Sequence, residues 1–267
     1  MKPLVSIIMG AYNAELTIKN AIDSVLTQTY INWEFIICDD CSTDNTLGIL
    51  KEYHEKEPRI IVIRNETNKR LAASLNNCLS HAKGKYIARM DADDECLPTR
   101  FEEQVKFLET HSEIDLVGSN RIIFDDNGDK GVRGSIENPT ERTFLKGSPF
   151  AHPTIMAKKS VYDALGGYTV SQRTMRAEDV DLWFRFYKAG YRGYNLQKVL
   201  YRYRESVDDL KKRSVKAGLE TSKVYYHGYK LLEFPWYERV WAIKPIISAL
   251  IPHGIMLKHF ERELKEI

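Results

Sequence analysis

Two hydrophobic patterns alternate along the first 110 residues. Residues 4–9, 34–38 and 59–63 are near-continuous apolar runs, as expected of strands buried on both faces. A fourth run, residues 86–89, reads as a half-buried strand. Between the runs, apolar residues recur at helical spacing: Ile18, Ala21, Ile22, Val25 and Leu26, then Leu47, Leu50 and Tyr53, then residues 71–82. Asn13 reads as the N-cap of the first helix, Pro58 ends the second, and Gly84 is the expected stop of the third. Crossovers of this length make the strands parallel and the connections right-handed. The fold class is therefore α/β, with a doubly wound, mostly parallel sheet and a nucleotide-binding half over residues 1–110.

The pattern continues less regularly. Phe101, Val105 and Leu108 mark a fourth helix opened by Pro98. Residues 115–119 and 121–124 read as a strand, and Asn127-Gly128 in the acidic turn after it favours a hairpin over a metal loop. Gly166-Gly167 closes a short helix. Val180, Trp183, Phe184 and Tyr187 share one face of a helix that begins near Glu178. Residues 111–205 thus complete one domain, 1–205, and residues 206–267 form a C-terminal helical extension. There Lys211, Lys212, Arg213 and Lys216 cluster ahead of Trp236, Trp241, Ile243, Ile246, Ile247, Leu250, Ile251, Ile255, Met256, Leu257 and Phe260. Either this tail packs on its own domain or on a second copy, making a homodimer, or it rests on a membrane with its lysines toward anionic lipid.

Composition narrows the classes. A formal net charge of +2 on 267 residues gives no overall field for nucleic acid. Four scattered cysteines do not make a disulfide scaffold, and Cys38-x-x-Cys41 lacks a second pair for zinc. No apolar run reaches the ~20 residues that span a bilayer, and Met1-Lys2-Pro3 leads straight into a strand with no cleavage site. The expected location is cytoplasmic, or peripheral on the inner face of the cell membrane. The chemistry concentrates where the 86–89 strand runs into Asp91, Asp93 and Asp94. Adjacent carboxylates repel one another, and a hard divalent cation relieves this because it prefers oxygen ligands. In open α/β sheets, ligands bind beyond the carboxyl ends of strands. The chain has no glycine-rich phosphate loop, so a metal bridge to a phosphorylated ligand is the natural substitute. A polar turn with an acidic helix start is the plainer alternative.

Residues 5–13 (VSIIMGAYN), 24–30 (SVLTQTY), 39–44 (DDCSTD) and 91–94 (DADD) resemble, in order and spacing, the family 2 inverting glycosyltransferases with the GT-A fold, including those of bacterial surface-polysaccharide assembly. The resemblance implies that Asp40 accepts a hydrogen bond from a pyrimidine ring, while Ala11, Tyr12 and Asn13 line base and ribose. Asp93 would be the direct ligand of Mn²⁺ or Mg²⁺, with Asp91 beside it on the ribose and the metal shell and Ala92 between them in the nucleotide site. Read as residues alone, Asp39 and Asp40 could simply cap the next helix, Tyr12 could be core, and Asp94 fits a helix start or a residue that supports the metal ligands without touching the ion. Two positions depart from the family pattern. Cys41 stands where glycine is usual after the second acid, and Asn68-Lys69-Arg70 replaces an Asn-x-Gly. Arg70 would then touch the base or be a solvated charge.

Residues 150–156 resemble the family's strand that returns beneath the active site, which would put His152 on the donor sugar or phosphate; a hydrogen-bonded core histidine is the alternative. Glu178-Asp179 resembles the family's Glu-Asp motif, so Asp179 would be the catalytic base and Glu178 would orient the acceptor. Trp183 would lie against the base and the sugar. Acidic residues also stabilise helix N-termini by ~0.3–1 kcal/mol with no catalytic role. Residues 201–206 correspond to a loop over the donor, where Arg202 or Arg204 would serve the diphosphate. The implied activity is sugar transfer from a nucleotide-diphosphate sugar, a uridine diphosphate sugar in the first place, to a hydroxyl of a glycan or lipid-linked glycan. A nucleotidyltransferase and a non-catalytic sugar-nucleotide binder are the competing readings. The former would want a basic phosphate loop, and residues 9–13 carry no lysine or arginine.

Overall fold

The computed structural model describes residues 2–205 and 214–252, with Gly254, Met256, Arg262 and Leu264 beyond them. Lys211, Lys212, Arg213, Ile255, Leu257 and Phe260 lie outside the described residues. Strands β1 (Val5–Ala11), β2 (Trp33–Asp39), β3 (Ile60–Arg64) and β4 (Tyr86–Arg89) run parallel, joined by α1 (Ile18–Leu26), α2 (Thr46–Lys56) and α3 (Arg70–His81). There follow β5 (Glu95–Cys96), α4 (Arg100–Thr110), β6 (Leu116–Asp125), β7 (Gly128–Arg133), β8 (Met156–Lys158), α5 (Lys159–Leu165), α6 (Glu178–Lys188) and β9 (Gly193–Arg204). The C-terminal helices are α7 (Val215–Leu231), α8 (Trp236–Arg239) and α9 (Lys244–Leu250).

All of these strands join one sheet in the order β3-β2-β1-β4-β8-β6-β9-β5, with β7 hairpinned onto β6. Chain order reverses between β1 and β4, so the crevice at their carboxyl ends is a topological switch point. Because side chains alternate across a strand, each central strand feeds two cores. Val5, Ile7 and Met9 pack with α1, α2 and α4, whereas Ile8, Ile36 and Ile87 pack with α3, α5, α6 and α7. Ser6, the polar residue inside β1, is satisfied at the opposite end of the sheet from the crevice. Its hydroxyl donates to Glu34 Oε1 (2.6 Å) and accepts from Gly84 N–H (2.7 Å).

Several expectations need correction. The β4 strand is fully buried, being a central strand. Asn13 is not an N-cap: α1 begins five residues later, and Asn13 Oδ1 accepts from Thr43 N–H (2.9 Å), tying the turns after β1 and β2 together. Leu26 is 37% exposed, off the buried face of α1. Gly84 does not cap α3. It is glycine because a Cβ there would lie 2.6 Å from the Ser6 backbone nitrogen. Residues 150–155 are not strand; His152–Thr154 is a 3-10 turn, and only Met156–Lys158 pairs, antiparallel to β4. Residues 201–204 belong to β9, paired with β5 and β6. The Asn127-Gly128 hairpin forms as expected, with Gly128 at φ +100.

Candidate active site

Asp91, Asp93 and Asp94 follow β4 directly, at the switch point. One ligand oxygen from each lies within 4.8 Å of the others. Loss of water raises the Asp93 carboxyl to about 6, with the charge of Asp91 adding to it. Burial, then Asp91 and Asp93, raise Asp94 well above the usual range. Asp94 does not start a helix, because β5 intervenes. Its Oδ1 accepts from Arg204 N–H (2.7 Å), fixing the turn to β9, while its buried Oδ2 has no partner. Three mutually repelling carboxylates with an orphaned buried oxygen fit a hard divalent cation.

Sequence reasoning passed over Arg89. It lies on β4 and is 2% exposed. Burial opposes its charge, yet the ion pair with Asp91 more than offsets this and keeps it protonated. Only its strand position two residues before Asp91 hinted at the role. Arg89, Asp91, His152, Glu178 and Asp179 line one cavity of about 380 Å³, together with Arg121 and Arg133. Burial and the neighbouring Arg133 push Arg121 down to about 10.

The base candidate stands at the start of α6. Asp181, two residues further on, accepts from Arg185 Nε (2.9 Å), Arg173 Nη2 (3.1 Å) and Thr169 Oγ1 (2.7 Å). Arg185 also donates to the carbonyls of Leu165 and Gly167 (2.8 and 2.9 Å). The third acid of the Glu-Asp-Val-Asp run therefore anchors the loop that presents the first two. Burial raises Asp179 above the usual carboxylate range, against its backbone N–H partners and Arg89. Glu178 rises to about 7 through burial and the charge of Asp179.

On the nucleotide side, Ala11 is buried at the end of β1 and Tyr12 stands 49% exposed beyond it. Asp40 does not cap α2. Its carboxylate accepts from Asn65 Nδ2 (2.7 Å), Lys69 N–H (2.8 Å) and Arg70 N–H (2.7 Å). An ionised carboxylate has about four acceptor sites, so capacity for one more donor remains. Ala92 packs partly buried on the first core. Cys41 and Arg70, the two departures from glycine, hold φ of +62 and +70, the left-handed region glycine adopts freely.

His152 is buried, with Nε2 2.8 Å from the Tyr168 hydroxyl. Burial and Arg89 keep it neutral, well below its ordinary pKa. Trp183 is a correction: at 1% exposure it lies beneath His152 and Phe150 as core and cannot reach a sugar. Arg202 is also removed from the cavity, ion-paired to Glu95 and Asp129 on β9's edge, and Arg204 pairs with Asp126.

The family model described as Glycosyl transferase family 2 matches residues 6–180. The chain belongs to that family. It is 46% identical over 264 residues to EpsE of Bacillus subtilis, named as a glycosyltransferase, covering 98% of this chain and 95% of that one. It is 34% identical over 221 residues to WfaP of Escherichia coli, covering 83% and 85%. WfaP is named as a UDP-Glc:alpha-D-GlcNAc-diphosphoundecaprenol beta-1,3-glucosyltransferase. Among solved structures, residues 1–349 of S. aureus TarS in complex with UDP-GlcNAc align with TM-score 0.69 at 21% identity, covering 92% of this glycosyltransferase and 71% of that TarS chain. The fold is accordingly GT-A. Among the described residues no helix is long and apolar enough to cross a membrane.

Proposed function

We propose that this glycosyltransferase inverts configuration, moving a sugar from a uridine diphosphate donor to a hydroxyl of a lipid-linked glycan at the cytoplasmic face of a membrane. The observation that carries the reading is that Asp91, one of the three clustered carboxylates, and Asp179 line one cavity. The names of EpsE and WfaP support the transfer chemistry and the acceptor class. Asp93 and Asp91 would hold Mn²⁺ or Mg²⁺, which when bound neutralises charge on the leaving diphosphate. Ala11, Tyr12 and Asn13 line the base and ribose, and the free acceptor capacity of Asp40 takes the pyrimidine N–H. Asp179 removes the acceptor's proton as general base. A helix N-terminus alone would leave Asp179 a weak base, and its burial corrects this. Glu178, half protonated near neutrality, orients the acceptor by donating as well as accepting. Arg89 keeps Asp91 in place between donor and base.

The test is a screen of nucleotide sugars for manganese-dependent donor hydrolysis, which needs no acceptor. One uridine diphosphate sugar should be cleaved, and cleavage should vanish in Asp93→Asn. Asp179→Asn should bind UDP normally yet lose about 10²–10⁴-fold in transfer rate. Full turnover by Asp179→Asn would sink the assignment of the base.

A further inference from the structure

Leu71 and Glu178 line both the cavity that holds Asp179 and a second cleft of about 510 Å³, whose walls include none of Asp91, Asp93 or Asp94. Arg70, Gln172, Met175 and Arg176 carry that cleft on into a third space, also about 510 Å³, closed by Lys216 and Glu220 of α7. We propose that this continuous cleft is an acceptor subsite for a phosphodiester or diphosphate, the anionic group joining the acceptor sugar to its carrier. The proposal rests on the donor and base assignments above and adds to them the acceptor's chemistry.

Charge is the first argument. The side chains of Arg70, Arg176 and Lys216 make no ion pair or hydrogen bond among the described residues, and all three are exposed. Glu220, the carboxylate of the third space, is already bonded by Lys223 Nζ (2.9 Å). Three cations with no partner among the described residues, around one cleft, fit a multiply charged anion, which arginine grips in bidentate fashion. Position is the second argument. In an inverting displacement the acceptor approaches the face opposite the leaving group, so the base marks the acceptor side. Arg176 and Lys216 are reached past Glu178, the neighbour of the base, and share no cleft with Asp91, Asp93 or Asp94. Arg70 stands between the two sides, with its N–H on Asp40. Backbone geometry is the third. Arg70 and Arg176 hold φ of +70 and +67, a conformation that non-glycine residues keep only where the surroundings enforce it. The Arg70 N–H is held there by Asp40 Oδ2 (2.7 Å). Each space falls within the ~300–1,000 Å³ range of small-molecule sites.

The experiment uses the full chain saturated with UDP and manganese. Farnesyl diphosphate and a glycerol-phosphate trimer are titrated into it calorimetrically, against the same manganese buffer as blank. The wild type should bind at least one probe without displacing UDP. Arg176→Ala/Lys216→Ala should bind it at least about ten-fold more weakly, and Arg176→Lys/Lys216→Arg should recover most of the loss. UDP affinity should be equal in all three. The tighter probe names the source, a lipid diphosphate or a phosphodiester polymer. Equal probe affinity in the double alanine variant, displacement of UDP by the probe, or no binding of either probe would overturn the subsite while leaving the donor site intact. A wild type that fails to bind UDP would bring down the donor reading, and this one with it.

Discussion

Cys41 and Arg70 share a backbone conformation but not a purpose. Both hold a left-handed φ at positions where the sequence resemblance leads one to expect glycine. Cys41 gains little for it: among the described residues its thiol bonds only the Glu66 carbonyl, at 3.6 Å. Cys41→Gly should add about 1 kcal/mol of stability, read as a higher urea midpoint, and leave UDP affinity alone. Arg70→Gly should gain similarly in stability but lose turnover, and a loss-free Arg70→Gly would mark that side chain as a solvated charge. Glu178 shows the opposite trade. Its carboxyl titrates at about 7 in the fold, so the native state binds more protons than the unfolded chain between roughly pH 4.5 and 7. Stability therefore falls as pH rises through that window. Glu178→Gln removes the penalty and should be more stable than wild type by on the order of 2 kcal/mol at pH 8. The two proteins should converge at pH 4, below both pKa values, and thermal melts at the two pH values read the difference.

At the scale of elements, what the sequence displayed well were strands buried on both faces and helices with one buried face, because each writes its own period into the chain. The short pairings left no such mark. β5 has two residues and β8 three, too few for a pattern. The end of β9 looked like a charged loop, since Arg202 and Arg204 read as solvent-seeking; their guanidinium groups are instead neutralised by Glu95, Asp129 and Asp126. On α4 the apolar residues Phe101, Val105 and Leu108 were legible, but Arg100 and Gln104 are fully buried beside them. Arg100 Nη2 donates to the carbonyls of Arg89 and Ile155 (2.8 and 3.1 Å), and Gln104 Nε2 to that of Thr154 (2.7 Å). Those bonds tie α4 to β4 and to the turn that leads into β8, and they depend on tertiary partners that no local period reveals. The candidate site divides the same way: its acids stood out as motifs, while Arg89 and the core position of Trp183 did not. Gly84 makes the point measurable. The expected role, a helix stop, tolerates asparagine or alanine at modest cost. The observed contact, a Cβ at 2.6 Å from Ser6 nitrogen, does not, since backbone cannot swing aside. Gly84→Ala should cost about 1–3 kcal/mol in chemical denaturation, and an unchanged midpoint would restore the simpler role.

The whole molecule rests its two chemical groups on different cores. Ala88 and Met90, just before the acidic run, belong to the core on the α1, α2 and α4 face of the sheet, whereas Val180, Leu182 and Trp183 of α6 belong to the core on the other. The second core does not stop at the expected end of the catalytic domain. Val224, Tyr229, Phe234 and Ala242 of the C-terminal extension are part of it, so this much of the tail packs on its own domain. Phe184 of α6 stacks on Phe144 at 3.7 Å and meets Tyr225 and Tyr229 of α7 edge-on. Gly228 allows the approach, because a Cβ there would lie 2.1 Å from the Phe184 ring. That ring is fully buried and boxed in by aromatic neighbours. Gly228→Ala should therefore overpack the α6–α7 contact and cost about 1–3 kcal/mol, shifting the start of α6 and with it Asp179. The first core is untouched by this change, so manganese-dependent UDP affinity should hold while the transfer rate falls. Calorimetry with UDP and steady-state kinetics on the same variant separate the two effects. If UDP affinity and rate fell together, the two cores would be one cooperative support, and the division between donor side and base side would be wrong.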